Sequence, residues 1–222
     1  MQIKALIFDL DGTLVNSLSD LANSVNFALS KLGLPTHPIS TYKPRIGNGA
    51  ILLIARSLPK DKLHLADHAL AIQQERYAHH YDDESTLYKD IDKLITKLCQ
   101  IKIPMAVLSN KPDGHTRTIV DSMFPENTFK IIRGHLPTMP LKPDATSSLS
   151  IAEEFNIAPE QIAFIGDTQV DIETAKQAGM HPVGVTWGFR SKEDLIEAGA
   201  KTIIETPLEL CTVLALECPS VS

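Results

Sequence analysis

The chain is 222 residues long and carries a formal net charge of −6, with 43% hydrophobic and 22% charged residues. That balance suits a globular protein with one ordinary domain and a smaller companion, and it excludes intrinsic disorder. The acidic surplus argues against a nucleic-acid partner, whose phosphates need clustered Lys and Arg, and no apolar run is long enough for a membrane span.

The first element is Ile3–Phe8, a continuous apolar run of the kind found in parallel strands covered on both faces. The aspartates that follow cut the run short, so no signal peptide is expected and the cytoplasm is the expected location. From Leu18 the residues Leu18, Leu21, Ala22, Val25, Ala28, Leu29 and Leu32 fall on one helical stripe, ended by Gly33-Leu34-Pro35. Gly49–Leu58 and Lys60–Tyr81 predict two more helices. On these, His64 and His68, and then His79-His80, read as solvated faces, since no third metal ligand accompanies them. A helix near Asp90–Gln100 follows.

Strands are then expected at Ile103–Leu108, Phe129–Ile132, Ile162–Ile165 and Pro182–Thr186, with helices at Pro112–Met123, Pro143–Phe155 and Val170–Ala178 between them. This rhythm predicts an α/β protein built on a doubly wound, Rossmann-like parallel sheet that binds its ligand at the carboxyl ends of the strands. The connection from Asp11 to Ser109 is far longer than one crossover helix needs. Residues 16–84 are therefore read as an inserted helical cap domain, and residues 1–15 and 85–222 as the core. Trp187 reads as a core or interface residue, and the tail Glu217–Ser222 as frayed. Cys99, Cys211 and Cys218 are odd in number and widely spaced, which predicts free thiols in a reducing compartment.

Four polar groups fall at strand ends or helix starts, places that converge on one edge of a parallel sheet. Asp9-Leu10-Asp11-Gly12-Thr13 follows the first strand, and its two carboxylates, two residues apart, can point the same way. Like charges that close call for a cation or a shared proton. Ser109-Asn110 ends the second strand, where Lys111-Pro112 opens a helix whose free N–H groups can bind an anion. Lys142 precedes the helix near Pro143. Gly166-Asp167 ends the fourth strand, with Asp171 one turn further on. Each piece has a plainer reading alone: an Asp-Gly turn, a helix cap, a surface lysine, a helix-face carboxylate. Together they hold carboxylates for a hard dication, donors for phosphate oxygens and one ammonium group, a set suited to Mg2+ and to a carboxylate nucleophile.

In this order and spacing the four motifs resemble those of the haloacid dehalogenase superfamily over nearly the whole chain. The resemblance implies a magnesium-dependent phosphatase that hydrolyses a small phosphorylated metabolite through an aspartyl-phosphate. Asp9 would be nucleophile and metal ligand. Asp11 would bind the metal through its backbone carbonyl and serve as general acid and base. Ser109 and Asn110 would hold the phosphoryl group, Lys142 would pair with nucleophile and phosphate, and Asp167 would be a metal ligand. Asp171 would support the metal site from behind or act as an auxiliary ligand, Gly166 would support it too, and Thr13 would orient the loop. An Asp at position 11 separates the chain from halide-removing members, which lack it, and from ion pumps, which carry Thr there.

A finer resemblance points to the phosphoglycolate phosphatase branch. It is carried by Ile46-Gly47-Asn48-Gly49-Ala50, Asn110-Lys111-Pro112, Val185-Thr186-Trp187-Gly188-Phe189 and Ala198-Gly199-Ala200 with Ile203-Ile204. Asn16, where relatives commonly carry Asp, and the segment Pro143-Asp144-Ala145-Thr146, where a second Pro is usual, depart from it. Gly47 and Asn48 read as a turn at a helix start or as the lip of a substrate pocket. Arg45 reads as a solvated arginine or as a contact for a substrate carboxylate. A sugar-phosphate mutase or other phosphotransferase on the same scaffold, and a non-catalytic phosphate-binding module, stay as alternatives. A monomer or homodimer is expected.

Overall fold

The apolar runs become strands because each is covered on both sides. The computed structural model describes residues 2–218. In chain order its elements are β1 (Ala5–Phe8), β2 (Val15–Asn16), α1 (Leu18–Lys31), α2 (Ala50–Ala55), α3 (Ala66–His79), β3 (Thr86–Leu87), α4 (Ile91–Gln100), β4 (Met105–Pro112) and α5 (Asp113–Met123). They continue with β5 (Ile131–His135), α6 (Thr146–Phe155), β6 (Ile162–Gly166), α7 (Gln169–Gln177), β7 (His181–Val185), α8 (Lys192–Ala198), β8 (Thr202–Ile204) and α9 (Glu209–Val213). Six strands form one parallel sheet in the order β5-β4-β1-β6-β7-β8.

Period-two alternation sorts the side chains of β1. Leu6 and Phe8 pack with Ile95 and Leu98 of α4 and Ile119 of α5, whereas Ala5 and Ile7 pack with Ile151 of α6 and Ala175 of α7. The chain leaves β1 toward β4 and β5, then returns to place β6 on β1's other side. That reversal opens a crevice at the carboxyl ends of β4, β1 and β6, the doubly wound arrangement expected.

Helices α1, α2 and α3 lie between β1 and β4 in the sequence, with 3-10 turns at Ile39–Arg45 and Lys60–Leu65. The antiparallel pair β2–β3 closes the base of this helical insertion. Buried Asp20 staples the same point, its carboxylate accepting from the N–H groups of Glu84 and Ser85 and from Ser85 Oγ. The helix expected over Lys60–Tyr81 is interrupted. Lys60–Leu65 buries none of its residues, so no packing selects the wider α geometry there.

Other boundaries move for identifiable reasons. β4 runs through Ser109–Pro112 and regains its partner at Pro112–His135 after a register shift, so α5 starts at Asp113. The third expected strand moves from Phe129–Ile132 to Ile131–His135, and α6 begins at Thr146, three residues after its expected start. β8 was not expected; three residues at the sheet edge are too few to show a period.

The thiol expectation is corrected for two of the three cysteines: Cys211 and Cys218 form a disulfide. Their spacing says nothing of this. The chain turns back after α9, with Leu216 N–H donating to Cys211 O at 2.8 Å, and brings the two Cα atoms to 6.0 Å, within bonding reach. Cys99 is free. The expected fraying of Glu217–Ser222 lies, from position 219 onward, outside the described residues. No helix among the described residues is long and apolar enough to cross a membrane.

Candidate active site

Asp9 follows β1 directly, and its N–H donates to Ile165 O on β6 at 2.9 Å, so two central strands fix its position. Lys142 Nζ lies 2.9 Å from Asp9 Oδ1 and 2.6 Å from Asp171 Oδ1. Asp167 follows Gly166 at the end of β6. It accepts from Thr13 Oγ1 at 3.2 Å and from Phe189 N–H at 2.8 Å. Asp171 closes a capping box at the start of α7, accepting from Thr168 N–H at 3.0 Å and Thr168 Oγ1 at 2.7 Å. All four charged groups are buried. One carboxylate oxygen from each of Asp9, Asp167 and Asp171 lies within 4.8 Å of the others.

The backbone must come very close for this to happen. A Cβ on Gly12, whose φ is +89°, would sit 2.3 Å from Asp167 Oδ2, and one on Gly166 would sit 2.2 Å from Asp171 Cβ.

Three carboxylates beside one ammonium group leave the site short of positive charge. Burial first, then Asp171, pushes the Asp9 carboxyl up to about 7. Burial, then Asp171 and Asp9, raise Asp167 well above the usual carboxylate range. Burial alone would lower the Lys142 ammonium, but Asp171 and Asp9 outweigh it and hold the group protonated. The oxygen-rich donor set fits a hard divalent cation, which would relieve this repulsion.

Asp11 stands apart from that cluster. Its Oδ1 accepts from Ser17 Oγ at 2.5 Å and from Lys111 Nζ at 2.9 Å. Asn110 clasps Lys142, accepting from its N–H at 2.8 Å and donating to its carbonyl at 3.0 Å. Its amide also donates to Gly47 O, tying the insertion to the sheet edge. Ser109 Oγ accepts from Lys111 N–H at 3.2 Å.

Asp9, Asp11, Ser109, Asn110, Lys142 and Gly47 line one cleft between sheet edge and insertion, with Leu21, Ile46, Leu53 and Tyr77 on its far wall. Thr13, Asp167 and Asp171 stand behind it, buried, linked to it by the contacts above. Arg45 and Asn48 do not line it. The Arg45 guanidinium lies over the Tyr42 ring at 5.0 Å, and Asn48 Oδ1 accepts from Arg56 Nη1 at 2.9 Å. Three groups escaped the sequence reading of the site. Lys111 reads from the sequence as part of a helix start, although its period-two spacing from Ser109 is a signal that it shares that face. Trp187 Nε1 donates to Thr13 O at 3.0 Å. Arg190 donates to the carbonyls of Lys43, Pro44 and Ile46, and no local pattern announces that contact.

Comparison with known proteins gives this fold and acid cluster a class, that of a phosphatase-type hydrolase. Residues 6–185 match the family of haloacid dehalogenase-like hydrolases. The chain is 32% identical over 221 residues to a phosphoglycolate phosphatase of Pasteurella multocida, covering 96% of this chain and 99% of that one. It is 33% identical, with the same coverage, to a phosphoglycolate phosphatase of Mannheimia succiniciproducens. The crystal structure of a predicted phosphoglycolate phosphatase from Haemophilus somnus superposes with a TM-score of 0.86 at 28% identity, covering 96% of this chain and 98% of that one. The chain belongs to the haloacid dehalogenase-like hydrolases, in the phosphoglycolate phosphatase branch, and is a phosphatase.

Proposed function

We propose that the protein hydrolyses a small phosphate monoester, 2-phosphoglycolate or a close analogue, through an aspartyl-phosphate on Asp9. The observation that carries this reading is the convergence of Asp9, Asp167, Asp171 and Lys142 at one sheet edge. The names of the relatives supply the substrate class.

In the first step an Asp9 carboxylate oxygen bonds to phosphorus, the ester P–O bond breaks, and Asp11 gives its proton to the departing alkoxide. In the second, water attacks the acyl phosphate, Asp11 takes the water's proton, and inorganic phosphate leaves with Asp9 restored. Lys142 holds Asp9 in place and offsets charge on the phosphoryl oxygens, and Asp171 orients Lys142. Ser109 sits beside the phosphoryl position, and Asn110 fixes the Lys142 backbone. Asp9, Asp167 and the Asp11 carbonyl would hold Mg2+, with Asp171 behind them or as an auxiliary ligand. When bound, the ion supplies charge stabilisation for the phosphoryl oxygens. Residues 16–84 act as a cap over a core made of residues 1–15 and 85–222, excluding bulk water in the first step. The cytoplasm is the proposed location.

Asp9→Asn tests the reading. Phosphate release should fall by about 10⁴-fold or more while circular dichroism stays that of the wild type. Full activity in that folded variant, or an isomeric phosphosugar in place of inorganic phosphate, would sink it.

A further inference from the structure

The cleft has few cations to offer a substrate. Lys142 is committed at the phosphate end, between Asp9 and Asp171. Arg45 lies outside the cleft on Tyr42. Lys111 remains, carried inward by the extension of β4. Its ammonium lies 2.9 Å from Asp11 Oδ1, 2.8 Å from Tyr77 Oη and 4.6 Å from the Tyr77 ring centroid. Both side chains are buried and both line the cleft.

Proton counting leaves two donors at this spot. An ammonium group has three N–H bonds, and Lys111 uses two of them on Asp11 and Tyr77. Tyr77 Oη accepts from Lys111, and its own O–H has no acceptor among the described residues. The nearby wall carries the apolar side chains of Leu21, Ile46 and Leu53 together with the uncharged amides of Gln73 and Gln74. An anion placed against such a wall costs several kcal/mol unless a cation and hydrogen-bond donors meet it. His115 packs edge-on against Tyr77 at 5.5 Å, and burial and Lys111 hold its imidazole below its usual range, which leaves Lys111 as the fixed charge.

Resting on the phosphatase reading above, we infer that Lys111 and Tyr77 are the specificity-determining pair that binds the substrate's second anionic group, a carboxylate a short chain away from the phosphate. Lys111 comes from the sheet and Tyr77 from α3, so the pair is complete only while the insertion lies over the strand ends. The same ammonium touches Asp11, so the group that recognises the carboxylate also positions the acid that serves the leaving oxygen.

The test compares 2-phosphoglycolate with ethyl phosphate, which keeps the ester carbon and lacks the carboxylate, in the full-length protein with Mg2+. Wild type should favour 2-phosphoglycolate in kcat/KM by about 10²-fold or more. Tyr77→Phe should cut that ratio about tenfold and Lys111→Met should bring it near one, with Lys111→Arg keeping part of it. Because Lys111 also touches Asp11, the ratio is the readout and not either rate. If Lys111→Met does not fold, Tyr77→Phe, which loses a single oxygen, decides the matter. A wild-type ratio near one, or variants that slow both esters by the same factor, would overturn the assignment. Turnover of neither ester by wild type would instead overturn the 2-phosphoglycolate reading, and this assignment with it.

Discussion

At the acid end of the cleft, every charged group is tied to the sheet or to the loops that leave its strands: Asp9 through Ile165, Asp167 through Thr13 and Phe189, Asp171 through Thr168, and Lys142 through Asn110. At the far end the wall comes from helices of the insertion, held to the core by a few cross-contacts: Asn110 to Gly47, Lys111 to Tyr77 and Arg190 to the carbonyls of Lys43, Pro44 and Ile46. The difference teaches a division of labour. A parallel sheet pins groups to within a fraction of an ångström, which charge-dependent chemistry needs. Helices laid over its edge can be altered side chain by side chain without disturbing that geometry.

The most severe way to break the comparison is to remove the cation proposed for the acid end. Chelation of divalent metal should take turnover to background, and unchanged turnover would contradict the metal assignment. The loss should have a pH signature. In the metal-free protein Asp9 titrates near 7 in place of 3.8, so between those values the folded chain holds more protons than the unfolded one. Its stability therefore falls as pH rises through that window, and a bound dication would restore it. The melting-temperature gap between Mg2+-loaded and metal-free protein should widen from about pH 5 to about pH 8, as calorimetry can check. A constant gap would show that these carboxylates do not bind the ion.

Next in size is Lys142→Met. Leaving Asp9 and Asp171 buried without their cation should cost about 3–5 kcal/mol of stability, and turnover should fall by roughly 10²–10³-fold. Denaturant titration and steady-state kinetics measure the two effects, and a variant as stable as wild type would mean the cluster is less closed than its burial indicates.

Arg190→Ala sharpens the contrast from the other side. It frees three carbonyls of the insertion and leaves the acid cluster intact, so KM should rise about tenfold, or ~1.4 kcal/mol, with kcat changed less. A fall in kcat at constant KM would show that the two ends are not separable in this way. Trp187→Phe is the mildest: it removes one hydrogen bond to the Thr13 carbonyl, worth about 1 kcal/mol, and should move the melting temperature more than the rate.

The sheet and the acid motifs were legible in the residues because both follow local rules. Continuous apolar runs mark doubly covered strands; Asp9, Asp11 and Asp167 fall at run ends and Lys142 ahead of a helix, places that a parallel sheet gathers on one edge. The length of the Asp11–Ser109 connection likewise announced a helical insertion. Distance along the chain hid the rest. Lys111 reads as a helix opener until the register shift after Leu108 keeps it extended and turns it toward Asp11 and Tyr77. Arg45 stands two residues from the pocket lip yet spends its charge over Tyr42, and Cys211 meets Cys218 only because the chain folds back after α9. Periodicity and residue type are properties of neighbours in the chain, so they determine strands, helices and the ends where chemistry collects. Which side chains face each other across a cleft depends on how separate elements pack, and only the tertiary structure decides that.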